Sequence, residues 1–126
     1  DPSKALMHGP TFMGNPIGCA AALASLDLFE QEPRLDQVKA IETQLIKELE
    51  PARELPAVKD VRVCGSIGVI ETTGLGDVNL LKKRFVEAGV WIRPFGNIIY
   101  TIPPYIIGQK DLTQITSAMV NLSKDL

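Results

Sequence analysis

Two places in the sequence carry residue types that suit the binding of an anion. The first is Gly9, Pro10 and Thr11, which stand shortly before a helix predicted to begin at Pro16. Backbone N–H groups of a glycine turn, a threonine hydroxyl and a helix N-terminus all donate hydrogen bonds to phosphate oxygens. The spacing matches neither the dinucleotide-binding nor the Walker glycine pattern. An ordinary turn before a capped helix is the commoner explanation, and a phosphate site is the alternative.

Arg93 is the second candidate, because it stands inside the strongly apolar stretch "VWIRPF". Arginine is rarely buried without a partner, and its guanidinium offers a carboxylate two parallel hydrogen bonds. Such a charge-assisted contact contributes about 1.5 to 3 kcal/mol. An internal or surface ion pair is the commoner role, and a bound carboxylate is the alternative. The neighbouring aromatic residues, Trp91, Phe95, Tyr100 and Tyr105, suit either a pocket wall or a core.

Other catalytic patterns are missing from the sequence. It has a single histidine, His8, no Ser/His/Asp set, and no cysteine or histidine spacing that would indicate a metal site. Cys19 and Cys64 are expected to be reduced, buried thiols, which fits a reducing cytoplasm. The formal net charge of −2 gives no field for nucleic acid or anionic membranes, and no apolar stretch is long enough to span a bilayer. No signal-peptide pattern is present.

The hydrophobic pattern predicts an α+β fold with the element order ααββαββα. Short connections favour a small antiparallel sheet of three to four strands with helices packed on one face. The last two β runs flank the turn sequence "PFGN", and the proline pair of "IIYTIPPYII" must end a strand or lie at a sheet edge. Helices are predicted over Pro16–Glu30, with Asn15 as the N-cap, over Arg34–Leu49, from the N-cap Asp77 through about Ala88, and over Gln109–Leu126. In the third helix Val78, Leu81, Phe85 and Val86 can share one face. The first two strands are predicted over Val58–Cys64 and Ile67–Thr72, with Gly65 and Ser66 as a turn or bulge between them.

The first two predicted helices differ in kind. In "PIGCAAALASLDLFE", small and apolar residues occupy nearly every face, which is typical of a helix buried on all sides. We therefore expect something outside this chain to pack against it. The second helix has one charged face and one apolar stripe that is expected to face the core, formed by Leu35, Val38, Ile41, Leu45 and Leu49. The length indicates a single domain, in which residues 1–33 form an interface segment and helix and residues 34–126 an α/β sandwich.

The sequence resembles a known enzyme family in two stretches. "LMHGPTFMGNPIGCAAALASLDLFE" and "GVWIRPFGNIIYTIPPYII" are similar to the C-terminal part of class III, fold-type I aminotransferases, which use pyridoxal 5'-phosphate. "WIRPFG" followed by "IYTIPPYI" resembles the subgroup that transfers an amino group from S-adenosylmethionine to 8-amino-7-oxononanoate in biotin biosynthesis, giving 7,8-diaminononanoate. The likeness runs over essentially the whole chain, and it implies the small C-terminal domain of that fold.

The resemblance implies roles for the phosphate candidate and for the first helix. In the family, the threonine of the Gly-Pro-Thr motif reaches across a homodimer interface to the cofactor phosphate of the other subunit. Gly9, Pro10 and Thr11 stand at the matching positions. The apolar helix packs against the large cofactor-binding domain of the same protein.

The resemblance also implies a substrate site. The arginine of "WIRPFG" binds the carboxylate of the keto-acid substrate, which makes Arg93 the matching residue. Phe95 and Tyr100 match aromatic residues of the same pocket. The small-molecule substrates implied are 8-amino-7-oxononanoate and S-adenosylmethionine.

The family's Schiff-base lysine and its cofactor-binding aspartate lie upstream of the Gly-Pro-Thr motif, in the large domain. The sequence opens without an initiator Met, and Lys4 is the sole lysine before the motif. We therefore expect a fragment that has no catalytic residue of its own and no activity in isolation. Two alternatives stay open: another class III aminotransferase, acting on ornithine or 4-aminobutyrate, and a free-standing, non-catalytic module that binds a carboxylate.

Overall fold

The computed structural model describes residues 13–126, which form four α-helices, one short 3₁₀ helix and a three-stranded sheet. The α+β class predicted from the sequence is confirmed. The chain divides into two compact units, with the boundary between Arg34 and Leu35. In chain order the elements are α1 (Pro16–Gln31), α2 (Arg34–Leu49), the 3₁₀ helix (Glu50–Glu54), β1 (Val58–Cys64), β2 (Ile67–Thr72), α3 (Val78–Glu87), β3 (Ile98–Thr101) and α4 (Gln109–Ser123).

The sheet is antiparallel, with the strand order β1-β2-β3. Its central row pairs Val61 with Ile70 and Ile70 with Ile99, and all three side chains are buried. Because side chains alternate between the two faces of a strand, this row defines the face that packs against the core. The predicted bounds of β1 and β2 are confirmed, as is the turn between them, where Gly65 has a φ of 55°.

The helices of the second unit supply the rest of the core. The largest fully buried side chains come from α2, α3, α4 and the sheet, and they include Leu45, Leu49, Phe85, Leu112 and Met119. A Cβ built on Gly68 of β2 would lie 2.9 Å from the Cδ1 atom of Leu49, so α2 approaches this strand closely. Glycine is therefore the residue that permits the helix to pack at this distance from the sheet.

The ends of α1 and α3 carry the predicted caps. The side chain of Asn15 accepts a hydrogen bond of 3.0 Å from the backbone N–H of Ile17, at the start of α1. Asp77 accepts from the backbone N–H groups of Asn79 and Leu80 at the start of α3. Each cap satisfies N–H groups that the helix itself leaves without partners.

One predicted strand is wrong. Residues 90–94 form no strand, so the β run before "PFGN" is absent from the described part of the chain. Pro94 has no N–H to donate to a ladder. Phe95 and Ile98 exchange two backbone hydrogen bonds of 2.9 Å around a turn in which Gly96 has a φ of 56°. Pairing ends at this bridge, and β3 is an edge strand that stops before the proline pair, as predicted.

Three expectations about burial are also wrong. Cys19 and Cys64 are free thiols, as predicted, but both are exposed. Cys64 ends β1, and Cys19 lies in α1, where no residue is buried. Leu35 of α2 is exposed because it precedes the buried stripe by more than a helical turn. Val86 of α3 is exposed because it lies one residue beyond the buried Phe85.

Ion pairs cover the other face of the sheet. Arg62 Nη1 contacts Asp60 Oδ2 at 2.9 Å and Glu71 Oε2 at 2.6 Å. Arg53 of the 3₁₀ helix contacts Asp60 Oδ1 at 3.2 Å. The hydrogen bond from Arg62 lowers the pKa of the Asp60 carboxyl below its ordinary value, with further lowering by the Val61 N–H and by Arg53. Hydrogen bonds to Glu71 and Asp60 raise the pKa of Arg62.

None of the described helices combines the length and the apolar character needed to cross a membrane.

Candidate functional site

Arg93 lies on a segment whose burial alternates from residue to residue. The segment joins α3 to the turn before β3, and every second side chain is directed into the protein. The buried positions are Val90, Ile92 and Pro94, and the exposed positions are Trp91, Arg93 and Phe95. The buried residues anchor the segment to the core, so Arg93 is presented to solvent from a fixed backbone.

The guanidinium of Arg93 has no protein partner in the described range. It forms no hydrogen bond or ion pair with any of residues 13–126, whereas Arg53, Arg62 and Arg84 all form ion pairs. The ion pair favoured by residue type is therefore not formed among the described residues. No residue of the range 13–126 accepts a hydrogen bond from the five N–H donors of Arg93, and a carboxylate is an anion whose geometry these donors match.

A surface cavity of about 270 Å³ adjoins Arg93. Its lining consists of two cations, one indole and two aliphatic side chains: Lys82, Val86, Trp91, Ile92 and Arg93. None of the described residues that line it is acidic. The apolar surfaces suit an alkyl group, and the two cations suit a negative charge at its end.

The second half of α3 builds the opposite wall of this cavity. Lys82 and Val86 are four residues apart, so they lie on the same face of the helix. Lys83, the next residue, is directed elsewhere, and its Nζ atom lies 3.8 Å from Glu87 Oε1. Lys82 was not singled out in the sequence. Its position beside Arg93 depends on how α3 packs against residues 90–94, which no local pattern specifies.

The two aromatic candidates lie outside this cavity. Phe95 belongs to the turn that pairs with Ile98 and is 74% exposed, which leaves its ring free of the core. Tyr100 lies on β3, pairs with Val69 and is half-buried. The described chain thus groups Arg93 with Lys82 and Trp91 and does not group it with Phe95 or Tyr100.

The cofactor candidates Gly9, Pro10 and Thr11 lie outside the described residues. Within residues 13–126, every lysine is exposed. The Schiff-base amine of this chemistry is typically activated by desolvation in an apolar pocket. The described residues therefore do not fit the amine that would hold pyridoxal 5'-phosphate, and no metal-binding cluster of His, Cys, Asp and Glu occurs among them.

A larger cavity of about 460 Å³ between α2 and α4 is polar. The Glu48 carboxylate on its wall accepts hydrogen bonds from Gln44 at 3.0 Å, Thr113 at 2.8 Å and Thr116 at 2.5 Å. Because these bonds already occupy both carboxylate oxygens, this cluster joins the two helices and is not free to bind a ligand.

Comparison with known proteins identifies relatives over nearly the whole chain. The family model of class-III aminotransferases matches residues 1–122. The adenosylmethionine-8-amino-7-oxononanoate aminotransferase of Corynebacterium glutamicum is 49% identical over 115 residues, which cover 91% of this chain and 27% of that protein. The Saccharomyces cerevisiae enzyme of the same name is 37% identical, over 92% of this chain and 26% of that protein. The chain thus spans about a quarter of the length of these curated relatives.

Solved structures with the same fold come from the same family. The adenosylmethionine-8-amino-7-oxononanoate aminotransferase of Methanocaldococcus jannaschii is 32% identical, with a TM-score of 0.80, and the match covers 98% of this chain and 31% of that one. A PLP-bound amine transaminase from an uncultivated Pseudomonas species is 28% identical, with a TM-score of 0.78, over 98% of this chain and 30% of that one. The chain belongs to the class-III aminotransferase family.

Proposed function

We propose that the protein containing this chain is a pyridoxal 5'-phosphate-dependent aminotransferase of biotin biosynthesis. It transfers the amino group of S-adenosylmethionine to 8-amino-7-oxononanoate and produces 7,8-diaminononanoate. The relatives from Corynebacterium glutamicum, Saccharomyces cerevisiae and Methanocaldococcus jannaschii, which carry this activity in their names, support the proposal. In such an enzyme pyridoxal 5'-phosphate, held outside the described residues, would supply the carbonyl chemistry of amino-group transfer.

This chain contributes the residue that binds the carboxylate of the keto acid. The observation that carries the proposal is the state of Arg93, which is exposed and has no partner among residues 13–126. A guanidinium that no protein carboxylate neutralises is available to a substrate carboxylate. Phe95 and Tyr100 then form part of the pocket wall in the whole enzyme.

The experiment replaces Arg93 by Ala in the full-length protein. Loss of a charge-assisted contact of about 1.5 to 3 kcal/mol raises the Michaelis constant for 8-amino-7-oxononanoate roughly tenfold to hundredfold. The Michaelis constant for S-adenosylmethionine stays within about twofold. Lys83→Ala is the matched control, because Lys83 is a cation of the same region that lines no part of the cavity. An equal rise of the Michaelis constants for both substrates would contradict the role of Arg93 in binding the keto acid.

Thr11 is the residue of this chain that we propose to contact the cofactor, as a donor to the phosphate bound by the partner subunit of a homodimer. Support comes from the Gly9-Pro10-Thr11 motif and from the family match, which includes these residues. Thr11→Ala in the full-length protein is expected to raise the cofactor dissociation constant about tenfold, as loss of a hydrogen bond to a charged group does. Thr11→Ser, which keeps the hydroxyl, is expected to restore binding. An unchanged constant in Thr11→Ala would contradict this role.

A second candidate function is transamination of other amines. The observation that favours it is the likeness to the Pseudomonas amine transaminase at a TM-score of 0.78, close to the 0.80 of the Methanocaldococcus jannaschii enzyme. Assays of the full-length protein with S-adenosylmethionine, ornithine and 4-aminobutyrate as donors separate the candidates. Turnover with S-adenosylmethionine alone supports the biotin enzyme, and turnover with the other donors supports the second candidate.

A free-standing carboxylate-binding module is the remaining alternative. It requires residues 1–126 to bind a carboxylate without further protein. Calorimetric titration of this chain with a medium-chain alkanoate is expected to show much weaker binding than titration of the full-length protein, since the cavity lined by residues 82–93 encloses only the end of the ligand.

A further inference from the structure

Lys82 is a second cation at the Arg93 cavity that has no partner among residues 13–126. Within the described range it forms no ion pair or hydrogen bond, in contrast to Lys83, which pairs with Glu87. Lys82 and Arg93 come from different elements, α3 and the segment before β3, and they line the same cavity of about 270 Å³. Two positive charges that no described residue neutralises and that border one small space repel each other, and an anion bound in that space reduces the repulsion.

The other residues that line the cavity indicate which chemical group of the ligand adjoins its negative charge. The other described residues of the lining are Trp91, Val86 and Ile92, and Trp91 is 80% exposed, so its indole is accessible to a ligand. A cavity of this size is smaller than the roughly 300 to 1,000 Å³ of sites that enclose a drug-sized ligand. It therefore suits the end of a ligand, namely a carboxylate and the first methylene groups of an alkyl chain.

We propose that Lys82 is a second binding residue for the substrate carboxylate, and that Lys82 and Arg93 hold the carboxylate while Trp91 covers the adjoining alkyl chain. This inference rests on the proposed function, because it takes the keto acid as the ligand. Arg93 supplies the two-pronged contact, and Lys82 supplies a point charge that attracts the carboxylate from the side of α3. Lys82 acts on binding alone and takes no part in the transfer of the amino group.

The test compares Lys82→Gln with Lys83→Gln in the full-length protein. Lys82→Gln is expected to raise the Michaelis constant for 8-amino-7-oxononanoate about three- to fivefold at low ionic strength, which is the size of effect measured for exposed charge pairs. The kcat and the Michaelis constant for S-adenosylmethionine stay unchanged. Lys82→Arg is expected to restore the parent value, and raised salt is expected to reduce the difference between Lys82→Gln and the parent. Lys83→Gln is expected to have the same Michaelis constant for 8-amino-7-oxononanoate as the parent.

A binding measurement that needs no turnover accompanies the kinetics. Nonanoate, which has the carboxylate and the alkyl chain without the reacting groups, is titrated calorimetrically into the full-length protein and its variants. We expect Lys82→Gln to weaken nonanoate binding three- to fivefold, and we expect the uncharged nonanamide to bind the parent and Lys82→Gln equally.

The outcomes separate this inference from the proposed function. If Arg93→Ala weakens keto-acid binding while Lys82→Gln matches the parent, the role of Lys82 is wrong and that of Arg93 stands. If neither variant affects keto-acid binding, both proposals are wrong. An equal effect of Lys82→Gln and Lys83→Gln would show a general effect of surface charge, which also overturns the inference.

Discussion

The first two helices have the same length and opposite surfaces. Each contains 16 residues, and α1 is the more apolar of the two, yet no residue of α1 is buried. The more polar α2 buries three residues, Ile41, Leu45 and Leu49. The difference shows that apolar composition alone does not place a helix in a core. What matters is whether the apolar residues lie on one stripe that faces other elements of the same unit.

The exposed side chains of α1 include five large hydrophobic residues. Leu26 is 63% exposed and Phe29 is 48% exposed, and Ile17, Leu23 and Leu28 are also exposed. Burying such a side chain stabilises a protein by roughly 1.5 to 3 kcal/mol. A contiguous apolar surface of this kind marks an interaction site. We propose that α1 packs against other parts of the whole protein. The curated relatives are about four times longer than this chain, so they contain further segments that are available to cover such a helix, which supports the proposal.

A pair of identical substitutions gives the largest expected contrast between α2 and α1. Leu45→Ala removes a side chain that is 0% exposed and leaves a cavity in the core, so we expect it to lower the free energy of unfolding of this chain by about 2 to 5 kcal/mol. Leu23→Ala removes a side chain that is 62% exposed and is expected to change it by less than about 0.5 kcal/mol. Urea denaturation monitored by circular dichroism measures both.

The same pair in the full-length protein tests whether α1 acquires a partner there. Leu23→Ala is then expected to destabilise the protein by about 1 kcal/mol or more, because a methyl-rich side chain at an interface is lost. A Leu23 variant that is neutral in both contexts would show that α1 stays exposed.

The smallest expected change in the free energy of unfolding comes from the ion pairs on the polar surface of the second unit. The Arg62 guanidinium beside Asp60 lowers the pKa of this carboxyl in the folded state. A carboxyl whose pKa is lower in the folded than in the unfolded state stabilises the fold at pH values above its unfolded-state pKa of about 3.9. This stabilisation is lost as the pH falls through the folded-state pKa. Asp60→Asn is therefore expected to be slightly less stable than the parent near neutral pH and to converge with it in acid.

Two features of the Asp60 measurement make it decisive. Asp27→Asn is the matched control, since Asp27 forms no ion pair among the described residues and lies in neither the first nor the last turn of α1, and we expect its stability to follow the parent near neutral pH. A difference between Asp60→Asn and the parent that is independent of pH would contradict the electrostatic explanation, and so would one that persists in high salt.

Much of the fold follows from local sequence signals. The cap residues Asn15 and Asp77 fix where α1 and α3 begin, and the alternation of apolar residues fixes β1 and β2. The failures occur where tertiary structure decides. The β propensity of "VWIRP" predicts a strand, but Pro94 and the turn at Gly96 remove that stretch from the ladder. Burial of the cysteines was inferred from residue type, whereas the structure leaves both of them exposed.

The candidate site is predictable only in part. Arg93 was identified from the sequence because a cation in an apolar stretch is unusual. Its lack of a partner among residues 13–126 could not be predicted, since pairing depends on which side chains the fold brings near. Lys82 was missed for the same reason, because an exposed lysine on an amphipathic helix carries no signal of its own. The roles of Gly9, Pro10 and Thr11 stay predictions, as they lie outside the described residues.

The most direct test of the contrast between α1 and α2 uses the thiol of Cys19, which lies in α1 and is exposed in this chain. Its alkylation rate is measured by mass spectrometry in the isolated chain and in the full-length protein, each normalised to the rate in denaturant. Our account predicts near-denatured reactivity in the chain and at least about tenfold slower alkylation in the full-length protein, since an opening free energy of about 1.4 kcal/mol already gives that factor. Equal rates in the two proteins would contradict the proposal that α1 is an interface helix.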